Sequence, residues 1–122
     1  MVAFTPAGWP ETVRPPGAPE WEASAVAYLF DCCPADFRAY PVLRRHPLVL
    51  ARFAVHFVAG QCRSAQEGLA GLRTDLQGTV GAEVVESAAD AWLEQAARLT
   101  RTRRAVGLVE EALRGEVFRP RL

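Results

Sequence analysis

A chain of 122 residues suits a single domain, and its 14 basic and 14 acidic residues cancel, without the positive excess that a general nucleic-acid binder carries. Half of the residues are hydrophobic and 23% are charged, near the globular average, so a disordered or fibrous chain is excluded. Lys, Asn and Ile, whose codons are rich in A and T, are absent. Arg abundance therefore reflects coding bias more than phosphate or carboxylate recognition.

Residues Met1 to Gly8 lack the basic start and apolar run of a targeting segment. The longest apolar stretch, Leu48 to Ala59, is interrupted by Arg52 and His56 and is too short to span a bilayer. A cytoplasmic location is the expectation. Cys32, Cys33 and Cys62 fit it, being an odd set without framework spacing.

In chain order, residues 1–18 are rich in Pro and Gly and read as an extended arm. Its large apolar groups Phe4, Trp9 and Val13 should lie against a helical body. Residues 19–46 should hold an N-terminal helix and short turns. Pro19 suits the first turn of a helix running to about Cys33, with Trp21, Ala25, Tyr28, Leu29 and Cys32 on one stripe. Pro34, Pro41 and Pro47 break the following segment, which should turn Phe37, Tyr40, Val42 and Leu43 inward.

Residues 47–115 predict a helical hairpin of coiled-coil type. Leu48, Val55, Cys62, Leu69 and Leu76 recur at seven-residue intervals, accompanied by Ala51, Val58, Ala65 and Leu72. Val85, Trp92, Leu99, Val106 and Leu113 repeat in the same way further on. The link Gln77 to Gly81 supplies the turn, and Gly115 a helix end. Leu50, Phe53, Ala54 and Phe57 form a second stripe that the N-terminal helix should cover. Residues 116–122 read as an extended tail. The fold expected is thus all-α: a long antiparallel helical hairpin with an N-terminal helix packed on it and arms at both ends.

Folding the hairpin at residues 78 to 80 places Arg73 near Glu83 and Glu86, and Arg63 near Glu94. It leaves Arg98, Arg101, Arg103 and Arg104 opposite Ala54 to Gly60, where no acidic residue stands. Such a cluster repels itself unless solvent, a carboxylate among Glu20, Glu22, Asp31 and Asp36, or a partner neutralises it.

Chemistry is not signalled. Neither His46 nor His56 follows a Glu at the spacing of dinuclear bundles, Cys32 and Cys33 point to different helix faces, and no glycine-rich phosphate loop is present. No catalytic or metal residue and no cofactor is assigned, and no enzyme activity is expected.

The segments Trp9-Pro10, Arg14 to Glu22, Tyr40 to Pro47 and Glu110 to Gly115 together resemble a group of small helical proteins of GC-rich actinobacteria. That resemblance covers most of the chain and implies a cytoplasmic protein without a known activity. The expected function is non-enzymatic protein–protein interaction or scaffolding. Self-association, most simply as a homodimer, would bury Leu69, Leu72, Leu76, Val84 and Val85 at the far end of the hairpin. Two alternatives are a regulatory accessory protein binding an acidic protein partner through Arg98, Arg101, Arg103 and Arg104, and a small-molecule or metal-binding bundle around Tyr28, His56 and Trp92.

Overall fold

A computed structural model describes residues 3 to 121; Met1, Val2 and Leu122, the outermost residues of the expected arm and tail, lie outside it. Among the described residues the regular structure is entirely helical. Four α-helices follow one another: α1 (Trp21–Asp31), α2 (Pro41–Arg45), α3 (Pro47–Leu76) and α4 (Ala82–Leu113), with a 3₁₀ turn at Ala35–Ala39 between α1 and α2. The two long helices α3 and α4 pack on each other and carry the core.

Proline and glycine set most of the boundaries. Pro41 and Pro47 each occupy a first helical turn, where a missing N–H costs nothing, and the residues before them, Tyr40 and His46, are extended. Gly78, at φ 75°, turns the link between α3 and α4. Beyond α4, Gly115 adopts φ 94°, its N–H reaches the Ala112 carbonyl and the Glu116 N–H reaches that of Glu111. This pair of bonds is a Schellman ending, which satisfies carbonyls the helix would otherwise leave open.

α1 is shorter than expected at both ends. Glu20 sits in the left-handed region at φ 67°, after turns closed by Ala18 N–H to Pro15 O and Trp21 N–H to Ala18 O, so the helix starts two residues past Pro19. Pro34 disfavours helical geometry at Cys33, and the helix ends at Asp31.

The core lies toward the ends of α3 and α4 that face α1 and α2. Leu29, Leu43, Leu50, Val58, Val106 and Val109 are fully buried there. The segment before α1 seals it: Val13 is 3% exposed, the Trp9 indole donates to the Val13 carbonyl at 2.8 Å, and the Trp9 ring meets Phe118 edge-on with centroids 5.9 Å apart. Arg104 ties this segment to α4 by donating from Nε to the Ala7 carbonyl at 3.0 Å.

Farther along, the two long helices hold each other through one interlock. Trp92 of α4 lies over Gly68 of α3 and donates from its indole to the Ala65 carbonyl at 2.6 Å. A Cβ at position 68 would stand 2.0 Å from Trp92 Cζ2. Arg73 of α3 also binds Glu86 of α4 through two bonds of 3.1 and 3.2 Å, as the charge pattern anticipates. Among the described residues no ion pair joins Arg63 to Glu94.

We expect Gly68→Ala to lower stability by about 1 to 3 kcal/mol, because overpacking against a pinned indole outweighs the gain of up to about 1 kcal/mol in helix propensity. Urea denaturation followed by circular dichroism measures it. An unchanged or raised midpoint would show that Trp92 yields freely.

Candidate interaction surfaces

The four arginines expected to form a binding face are spread over neighbouring grooves of α4. Arg98 borders one groove, Arg101 and Arg104 another, and Arg104 shares a third with Arg103, Thr100, Gly107 and Glu111. All four are exposed. Arg98 bonds Gln95 at 3.3 Å, and Arg104 is engaged with Ala7. Among the described residues none of the four makes an ion pair. Asp31, one carboxylate expected nearby, is taken by Arg38 at 2.7 Å.

The far end of α3 and α4 is less bare than its sequence suggests. Leu72 is 9% exposed and Leu69, Leu76 and Val85 are half-buried, because Ala65 and Ala89 let the helices approach and Trp92 fills the space at Gly68. Of the five residues expected to drive self-association, Val84 alone remains open, at 47%. Leu93 is more exposed still, at 53%, and was not singled out by the heptad pattern because it lies on the side of α4 away from α3.

A surface that sequence reasoning missed stands near the start of α3. Phe37, in the 3₁₀ turn, meets Phe53 and Phe57 edge-on at centroid distances of 5.9 and 6.2 Å, with Tyr40 tilted against it at 6.2 Å. Tyr40 and Val42 are each 49% exposed, which corrects the inward orientation expected for them, whereas Leu43 is buried and Phe37 packs against the core. Leu50 and Ala54 are buried in the core that α1 shares, but Phe53 is left 44% exposed. His56 and Arg52 border this aromatic groove. Arg52 also forms an ion pair with Glu110, a largely buried carboxylate that Arg114 approaches at 3.8 Å. The signal in the sequence was an α3 apolar arc wider than one neighbour can cover.

Charge is segregated along the two long helices. From residue 37 to 66 the chain contains Arg38, Arg44, Arg45, Arg52 and Arg63 but no acidic residue. Toward the link, Glu67, Asp75, Glu83, Glu86, Asp90 and Glu94 are balanced only by Arg73. The zero net charge therefore conceals an acidic far end and a basic near end.

Cys32 and Cys33 border a groove between α1 and α4 that Tyr28, Gln61, Arg98 and Thr102 also line. Burial raises the Tyr28 phenol and the Cys32 thiol, the latter opposed by a hydrogen bond from Tyr28 and by the nearby Arg98 charge. Cys33 is pushed up to about 11, first by burial and then by the adjacent Cys32. Protonated thiols are poor nucleophiles, and Cys62 is buried in the core. Tyr28 and His56 face different grooves and Trp92 is committed to Ala65, so the structure does not assemble the three into one pocket. Among the described residues no group of three or more His, Cys, Asp or Glu side chains is placed to hold a metal ion, and no helix is long and apolar enough to cross a membrane. The chain matches no protein-family model, no curated protein and no solved structure.

Because the folded Cys33 thiol titrates above its ordinary value, its contribution to stability is complete below the ordinary thiol range and is lost as pH rises toward about 11. Site-resolved alkylation at about pH 9 should therefore be several-fold slower at Cys33 in the folded chain than in urea. Equal rates would contradict the shift.

Proposed function

We propose that this protein is a non-enzymatic interaction or scaffold protein that associates with itself, built on an antiparallel helical hairpin of α3 and α4 with the terminal segments as arms. Three contacts support the hairpin reading. Arg52 with Glu110, Ala65 with Trp92 and Arg73 with Glu86 join rising positions of one helix to falling positions of the other. The observation that carries the functional reading is apolar surface left open on the long helices: Phe53, Val84 and Leu93 are 44, 47 and 53% exposed in a single copy. The raised thiols, and the lack of a gathered ligand set among the described residues, give catalysis no comparable support. A cytoplasmic setting fits the three free cysteines.

Light scattering across about 1 to 100 μM should show the mass rising from one chain toward two, the range expected for a small interface. A constant single-chain mass over that range would overturn the reading.

A second reading, regulation through an acidic protein partner, is favoured by Arg101 and Arg103, which are exposed and make no ion pair among the described residues. Binding to polyglutamate, lost in Arg101→Glu/Arg103→Glu and weakened by salt, is its expected signature. Binding that survives the reversal counts against it.

A further inference from the structure

The exposed side of α4 around Leu93 is complementary to itself. Glu86, Asp90, Leu93, Ala97, Arg101 and Arg104 follow at intervals of four, three, four, four and three residues, and so form one helical stripe. All six are exposed. Glu94 and Arg98, also exposed, flank the stripe on one side. Acidic residues occupy its first half, arginines its second, and Leu93 with Ala97 its middle.

We propose that two copies of this chain associate through this stripe, with their α4 helices antiparallel and a two-fold axis at the level of Gln95 and Ala96. This inference rests on self-association and names its face and register. In that register Glu94 meets Arg98 of the second copy, Asp90 meets Arg101 and Glu86 meets Arg104, and the two-fold axis repeats each pair. Leu93 of each copy lies against Ala97 of the other, covering the most exposed large apolar side chain of α4. Parallel pairing would instead set Arg98 against Arg98 and Asp90 against Asp90. A second copy is the favoured occupant because both halves of the stripe are satisfied at once, and because the contact is isologous and closes. The inner pairs are the freer ones, since Glu86 also binds Arg73 and Arg104 also binds Ala7.

The decisive experiment uses two charge-reversed chains, Asp90→Arg/Glu94→Arg and Arg98→Glu/Arg101→Glu, each checked for helicity by circular dichroism. Each alone should be at least tenfold weaker in self-association than the unaltered chain by sedimentation velocity. Mixed one to one, they should form a heterodimer of about the original affinity, because every inner pair then joins opposite charges again, half of them with the sign exchanged. Dimers that persist in either reversed chain, or a mixture that stays monomeric, would overturn this register while leaving self-association standing. An unaltered chain that is monomeric at about 100 μM would overturn both. If a reversed chain lost its helicity, Leu93→Glu supplies the second variant: it should give a folded monomer, and a folded dimer would overturn the proposal.

Discussion

The seating of Trp92 over Gly68 is the constraint on which the long helices depend. An indole ring can close on a helix backbone only where no side chain intervenes, and its N–H then needs an acceptor, here the Ala65 carbonyl. That carbonyl belongs to the α3 backbone, so the bond fixes axial position as well as separation. Helix propensity in this part of α3 is poor, with Gly60, Gly68 and Gly71 in one run, and packing has to compensate. One tryptophan thus sets the relative height of two helices of 30 and 32 residues.

Much of the helical framework was legible because proline, glycine and heptad spacing are local signals. Pro47 opens α3, Gly115 follows α4, and Ala51, Val58, Cys62, Ala65, Leu99 and Val106 are buried as their seven-residue repeats require. The Arg73 to Glu86 pair also followed from folding the chain on paper. Side-chain direction in the short 35–45 segment was not legible, because one 3₁₀ turn and one helical turn have too few residues to establish a periodicity. Tyr40 and Val42 consequently face solvent, while Leu43 is buried and Phe37 packs partly against the core.

The candidate surfaces were harder to read for a related reason. A heptad count marks the residues of a seam but says little about the opposite side of the helix, where Leu93 lies. It also treats Leu72 as available, although the neighbouring Trp92 and small residues on both helices close over it. The arginine cluster was legible as a composition feature, but how it spreads around α4 depends on helical phase. Segregation of opposite charges toward opposite ends is invisible to a net count, which returns zero. Surface behaviour in this chain is set by sequence order along α3 and α4 rather than by totals.

The edge-on contact of Trp9 with Phe118 brings the beginning and the end of the described chain side by side. A longer polypeptide that carried this unit internally would enter and leave it at one place, as an insertion does, without threading around the body. The link at residues 77 to 81, remote from that junction, is accordingly where new termini could be opened in a circularly permuted chain.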